Sequence, residues 1–133
     1  MGYKEAMEAA GAEVLAYEEF GSYQGDWYAK IKFRDKVSWV QDCYGSCSSC
    51  DAFESDFQDS GHDCVDGEYN NPLYDEFLDD CEECQIVKKK LIRFGREYID
   101  QDLTYEDCVK KASENLDWDM DAQKIVDWLE FNK

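Results

Sequence analysis

Alternating apolar and polar positions predict a small sheet in the first third of the chain. The clearest alternation places Trp27, Ala29, Ile31 and Phe33 on one face of a strand and Tyr28, Lys30, Lys32 and Arg34 on the other. Residues 12–20 and 37–43 supply flanking strands, joined by turns at 21–25 and at Asp35-Lys36. We predict a three-stranded antiparallel meander with a basic outer face, in which Val37 and Trp39 continue the buried face.

Helical spacing of apolar residues dominates the second half of the chain. Asn71-Pro72 is a typical helix start, with Asn as cap and Pro at the first helical position. The stripe that follows comprises Tyr74, Phe77, Leu78, Cys81, Cys84, Val87, Leu91, Phe94 and Tyr98. We therefore predict one long helix through these positions.

Shorter helices are predicted on either side of that long helix. Residues 3–10 form one that ends at Gly11, and residues 51–57 form another before a loop at 58–71. Thr104 and Asp107 have the spacing of a capping box, with Leu103 placed to pack on Cys108. The last helix carries Trp118, Ala122, Ile125, Val126 and Leu129 at helical spacing.

These elements predict an α+β fold, a three-stranded antiparallel sheet followed by a helical C-terminal half. The length of 133 residues suits a single domain. Within it we distinguish a short helix plus β-meander at 1–45, a cysteine-rich acidic loop at 46–71, and a helical part at 72–133.

Charge is concentrated in the middle of the sequence. The chain has a formal net charge of −18, and residues 51–83 contain thirteen Asp or Glu and no Lys or Arg. Such a chain repels phosphate, so direct nucleic-acid binding is disfavoured. We expect a protein partner with a basic surface, drawn in by long-range attraction.

Six of the seven cysteines lie between positions 43 and 84, and four of them form two CxxC pairs. Pairs of this kind can direct four thiolates at one tetrahedral zinc ion. We predict a structural zinc bound by Cys47, Cys50, Cys81 and Cys84, which would tie the end of the sheet to the long helix.

Other assignments of the cysteines remain open. His62, Cys64, Cys81 and Cys84 form an alternative ligand set, and Cys81 and Cys84 are also compatible with a role as small core residues. Cys43 on a strand and Cys108 in a helix interior are interpreted as structural.

Catalytic interpretations have less support in the sequence. Four protein ligands leave zinc no open position for water. The pieces His62-Asp63-Cys64 and Cys81-Glu-Glu-Cys84 superficially resemble the motif of zinc deaminases, but Cys64 stands where their general-acid/base glutamate belongs. A small zinc enzyme or a redox CxxC protein remains an alternative, although no thioredoxin-like strand and helix surround either pair.

Several features predict a cytoplasmic protein. The first residues do not have the pattern of a secretory signal, and no apolar run approaches the roughly 20 residues that span a bilayer. An odd number of cysteines suits a reducing compartment.

The acidic surface is the predicted site of partner binding. Its candidate residues are Asp51, Glu54, Asp56, Asp59, Asp75, Glu76, Asp79 and Asp80. An ordered array of carboxylates can also imitate a phosphate backbone, so a DNA mimic that occupies a basic groove is an alternative.

Three segments resemble a family of small proteins of tailed bacteriophages and prophages: GSYQGDW at 21–27, YGSCSSCDAF at 44–53 and ENLDWD at 114–119. The resemblance covers most of the chain and supplies no catalytic residues. It implies expression in the cytoplasm of a bacterial host and an accessory role. We therefore expect a non-enzymatic binder that inhibits or redirects a host protein of defence or nucleic-acid metabolism.

Overall fold

The computed structural model describes residues 2–21, 25–45, 57, 62–63, 69–70, 81–114 and 121–133. Its elements are α1 (Tyr3–Ala9), β1 (Glu13–Gly21), β2 (Gly25–Phe33), β3 (Lys36–Tyr44), β4 (His62–Asp63), β5 (Tyr69–Asn70), α2 (Glu82–Ile99), α3 (Tyr105–Ser113) and α4 (Ala122–Phe131). The predicted α+β class, with helices following the sheet, is confirmed. Among the described residues no helix is long and apolar enough to cross a membrane.

Strands β1, β2 and β3 form the predicted antiparallel meander in sequence order. The β2–β3 turn is Arg34-Asp35, and both residues have positive φ, 51° and 64°. Two left-handed residues are typical of the tight hairpin turn that matches the twist of its strands. The turn therefore lies one residue earlier than predicted, and Phe33 pairs with Lys36.

Helices α1 and α2 cover one face of the sheet and bury the predicted apolar positions of β2. The core there includes Tyr3, Met7, Trp27, Ala29, Ile31, Val40, Phe57, Leu91, Phe94 and Tyr98. The two helices cross so closely that a Cβ on Gly95 would lie 2.0 Å from the carbonyl oxygen of Ala6. Only glycine fits at position 95 without moving one helix.

The opposite face of the sheet is also covered, so the predicted basic outer face is wrong. Tyr28 and Trp39 are 1% and 4% exposed. They pack with residues of α3 and α4, among them Cys108, Ala112, Ile125 and Leu129. Lys30 is partly buried on this face, and its Nζ donates to the carbonyl oxygen of Asn132 at 2.9 Å.

Strand register corrects the predicted faces of β3 as well. Lys30 pairs with Trp39 and Lys32 with Val37, and directly opposite residues of an antiparallel pair share a face. Trp39 is therefore buried on the second face, and Val37 is 49% exposed. Val40, opposite Ala29, is the residue that continues the first face.

The two outer edges of the sheet differ. On β3, Trp39 and Leu103 exchange backbone hydrogen bonds of 2.9 and 3.0 Å. The side chain of Gln101 accepts from Gln41 N–H at 3.0 Å and donates to Gln41 C=O at 3.1 Å. On β1, the register shifts between Val14 and Ala16, which makes Leu15 an exposed bulge residue.

The long helix begins later than predicted. Cys81 has extended backbone angles, φ −99° and ψ 115°, and is the N-cap of α2. A helix continuing through this point would stack Asp79 and Asp80 one turn from Glu82 and Glu83, and like charges at that spacing repel. Starting at Glu82 instead places acidic residues at the helix N-terminus, where the dipole favours them.

The remaining predictions have mixed outcomes. The predicted loop at 58–71 is wrong at β4 and β5, which pair antiparallel. The capping box of Thr104 and Asp107 is confirmed, as is the stop at Gly11, whose φ is +102°. Of the predicted helix at 51–57 only Phe57 is described, and it is helical. The predicted helix start at 71–72 and Trp118 lie outside the described residues.

Candidate functional site

Most of the predicted metal site lies outside the described part of the chain. Cys47, Cys50 and Cys64 are outside it, and of His62 the structure gives the backbone, paired with Asn70. The predicted partner-binding residues also lie outside it: Asp51, Glu54, Asp56, Asp59, Asp75, Glu76, Asp79 and Asp80. Cys81 and Cys84 are the predicted ligands whose side chains the structure places.

Cys81 and Cys84 lie together at the start of α2. Cys81 is the N-cap residue, and its carbonyl accepts a hydrogen bond from Gln85 N–H at 3.1 Å. Cys84 is three residues on, at the position whose side chain turns back toward the cap. Both are buried, at 3% and 0% exposure. The extended backbone at Cys81 gives the pair a different geometry from two cysteines within one helix.

The pair supplies two soft ligands on one side of a helix start, which is half of a tetrahedral zinc site. Within the described ranges no three His, Cys, Asp or Glu side chains come together in a metal-binding arrangement. The other two ligands would be Cys47 and Cys50 or His62 and Cys64, whose side chains are not among those described.

Carboxylates surround the end of β3, where the chain leaves the sheet for the cysteine-rich segment. Burial raises the pKa of Tyr44, and the charges of Glu19, Asp121 and Asp26 raise it further. The Tyr44 hydroxyl donates to the carbonyl oxygen of Phe20 at 3.1 Å. The three carboxyl groups and the Tyr44 phenol come from β1, β2, β3 and the start of α4. We call this group the negative corner, and it forms only when the sheet and α4 fold together.

Neighbouring groups respond to the same negative charge. Desolvation raises the pKa of Cys43, followed by the charge of Asp42, which also accepts the Cys43 N–H at 2.8 Å. Burial raises the pKa of Tyr17 above its usual 10, with Glu19 and Glu5 adding to the effect. Cys43 lies on β3 as predicted, and its side chain is exposed.

A cleft of about 370 Å³ lies between the β3 edge and α3. Its lining residues are Gln41, Asp42, Gln101, Leu103, Asp107, Cys108 and Lys111. Burial raises the pKa of Cys108 to about 12, so its thiol is protonated at neutral pH and is neither a nucleophile nor a ready metal ligand. The predicted core position of Cys108 is confirmed, at 1% exposure.

Asp107 does not supply this cleft with a general base. Its carboxylate accepts from Thr104 N–H at 2.9 Å, and the Thr104 backbone and side chain lower its pKa. The group is committed to capping α3.

Sequence reasoning missed the corner formed by Glu19, Asp26 and Asp121, because these residues are far apart in the chain. The one available signal was the turn at 21–25, which predicts that Phe20 and Asp26 are neighbours. Their register confirms it. No family model, curated protein or solved structure matches the chain.

Proposed function

We propose that this protein is a non-enzymatic acidic binding protein that engages a partner with a basic surface. The observation that carries the proposal is the negative corner at the end of β3. It combines the carboxylates of Glu19 on β1, Asp26 on β2 and Asp121 at the start of α4. In the sequence, β3 ends seven residues before the most acidic stretch begins at Asp51.

The distribution of charge supports the same conclusion. Thirteen carboxylates fall within residues 51–83, whereas the other hundred residues carry nineteen carboxylates and fourteen Lys or Arg. A charge that served solubility alone would not need this concentration. Concentrated charge of one sign steers a partner of opposite charge and accelerates association.

The resemblance to phage and prophage proteins gives the proposal a biological setting. We propose that the protein acts in the cytoplasm of a bacterial host and inhibits or redirects a host protein of defence or nucleic-acid metabolism. A DNA mimic that occupies a nucleic-acid groove is the narrower form of this proposal.

A structural zinc is the second part of the proposal. Cys81 and Cys84 would hold it from the start of α2, with Cys47 and Cys50 or with His62 and Cys64. Its contribution would be to fix the acidic segment against the helix, because a metal that joins distant segments stabilises the folded chain.

The partner proposal is tested by affinity capture from bacterial cells at low and at high salt. The first variant neutralises four predicted partner-binding residues, as D51N, E54Q, D56N and D59N. The matched control neutralises four exposed acids elsewhere, as E8Q, E97Q, E106Q and E114Q. We expect high salt and the first variant to release the partner, and the control to retain it. Equal retention by both variants would refute the proposal.

Competition separates the DNA mimic from other acidic binders. If the captured protein binds DNA, a duplex fragment should displace it from the wild-type chain. Capture that is insensitive to a large excess of duplex DNA would remove the mimic and leave the broader proposal.

The zinc proposal is tested by metal analysis with native mass spectrometry. We expect one zinc per chain, lost in C81S and in C84S and kept in C43S. The variants C47S, C64S and H62A then distinguish the two ligand sets. A chain purified without metal that also fails to take up added zinc would refute this part.

A further inference from the structure

Strand β1 is an edge of the sheet, and its residues are half-buried or exposed. None of the nine residues of β1 is buried, whereas β2 and β3 each contain four buried residues. Within the described ranges, β2 is the strand that pairs with β1, and the other side of β1 has no paired segment. Such an edge presents a row of backbone donors and acceptors to which an extended chain can add.

The opposite edge shows how this molecule completes such a row. Residues 101–103 lie along β3, where Leu103 pairs with Trp39. The side-chain amide of Gln101 makes the two hydrogen bonds to Gln41 N–H and C=O that a neighbouring strand would otherwise make. Three residues are enough to close that edge. A comparably short segment would fit residues 16–21 of β1, which keep a regular register with β2 beyond the bulge at Leu15.

The side chains along residues 16–21 define what such a segment would carry. Glu18 and Glu19 are both exposed, and adjacent residues of a strand point to opposite faces. Tyr17 contacts Trp27 on the first face, and Phe20 contacts Trp128 on the second. An added strand would therefore meet one carboxylate on each face, and opposite charges across strands are favourable.

We propose that residues 16–21 of β1 bind an extended segment of a partner protein that has adjacent Lys or Arg residues. The partner's basic character rests on the proposed function above, and the strand-addition mode is new. A second copy of this chain is disfavoured, because antiparallel pairing of two β1 edges centred on Glu18 or on Glu19 would place that glutamate opposite the same residue of the other copy. Like charges directly opposite each other are destabilising.

The test is an NMR titration of the isotope-labelled chain with a capped peptide, Thr-Val-Lys-Arg-Val-Thr. The control has the same sequence and charge but is N-methylated at every residue, so that neither of its edges can donate to β1. We expect the unmethylated peptide to shift the amides of residues 16–21 and slow their exchange. The methylated peptide should lose this binding.

Charge variants provide a second readout. E18Q/E19Q should bind the peptide about two- to thirtyfold more weakly, from the loss of two cross-strand pairs. E106Q/E114Q, which neutralises two exposed acids on and beside α3, should bind as the wild type does. Absence of binding, equal binding of the methylated and unmethylated peptides, or equal weakening in the two variants would overturn the proposal.

The two proposals fail separately. If the peptide shifts only residues 51–83 and binds through charge alone, strand addition is refuted and the acidic-binder proposal stands. If residues 16–21 bind the peptide but no basic partner is released by salt in the capture experiment, strand addition stands and the partner's role in cells does not.

Discussion

Each outer strand of the sheet has one edge whose backbone N–H and C=O groups do not pair with β2, and the two edges are protected in different ways. On β3, alternate residues along the edge are satisfied within the chain: Trp39 by Leu103, Gln41 by Gln101, and Cys43 by the neighbouring Asp42 carboxylate. On β1, a bulge at Leu15 and the charges of exposed glutamates protect the edge without covering it. The β3 edge is closed by hydrogen bonds within the chain, and the β1 edge is protected by a bulge and by charged side chains.

On this difference rests our proposal that the chain binds one class of partner through β1. Closing an edge with main chain excludes every added strand, whereas guarding it with carboxylates excludes acidic and neutral strands more than basic ones. The β3 edge is therefore expected to contribute mostly to stability and the β1 edge to recognition.

The largest effect is expected in residues 101–103, the closing segment of the β3 edge, when Leu103 loses its backbone N–H. Leu103→Pro removes the N–H that donates to Trp39 C=O at 3.0 Å and also restricts Asp102, whose φ is +49°. We expect a loss of about 3 kcal/mol or more in unfolding free energy, measured by urea denaturation. Leu103→Met, which keeps the N–H and the apolar volume, is the control. Equal stability of the two variants would show that the bridge contributes little.

A smaller effect is expected from the side-chain part of the closure. Gln101→Ala leaves the backbone N–H and C=O of Gln41, a residue 7% exposed, without their Gln101 contacts. The expected cost is about 1–3 kcal/mol. Gln123→Ala removes an exposed contact to Asp127 on α4 and should cost about 0.2–0.5 kcal/mol. A cost for Gln101→Ala no greater than this control would contradict the closed-edge description.

Acid should weaken the capping box of Thr104 and Asp107, which follows the closing segment directly. We call this capping box its anchor. The pKa of Asp107 is lowered in the folded chain, so its capping contribution is present above the ordinary carboxyl pKa of about 3.9 and is lost as pH falls through the folded value. Unfolding free energy should therefore fall less between about pH 5 and pH 3 in Asp107→Asn than in the wild type. Glu106→Gln, in the same turn, should behave as the wild type. Identical pH profiles for Asp107→Asn and the wild type would rule out this anchor.

The smallest effect is expected in amide hydrogen exchange of the wild-type chain, which needs no substitution. Hydrogen exchange should be slow at the amides of Trp39 and Gln41, which are bonded on the closed edge. Along residues 16–20 we expect alternation, with slow exchange where β1 faces β2 and fast exchange where it faces outward. Uniformly slow exchange along β1 would mean that its outer edge is covered.

Local features of the fold were predictable, and contacts over long separations were not. The alternation of residues 27–33 identified β2, and the spacing of Thr104 and Asp107 identified the cap of α3. In contrast, Gln101 meets Gln41 across 60 positions, and no local pattern indicates that contact. The second face of the sheet was missed because Tyr28 and Lys30 combine a polar end with a large apolar part, which suits an outer face and a buried one equally.

The candidate site was predicted in part for the same reason. The CxxC spacing predicted Cys81 and Cys84 as a ligand pair, and the structure describes both as buried residues at the start of α2. Their position at a helix start depends on the surrounding acids, which were interpreted as surface charge and not as a helix boundary. The negative corner at Tyr44 needed the tertiary fold, because Glu19 and Asp121 are a hundred positions apart.

The two-sided burial of the sheet has a consequence for the order in which the chain is made. The meander is complete by Tyr44, but apart from α1 the helices that cover it span residues 82–131, and the second face receives Leu129 last. During synthesis, about ninety further residues must therefore be added after Trp39 before α3 and α4 can cover Tyr28 and Trp39. Over this interval the nascent chain exposes aromatic surface of the kind that chaperones bind. The acidic segment emerges next, and its charge would keep neighbouring nascent chains apart.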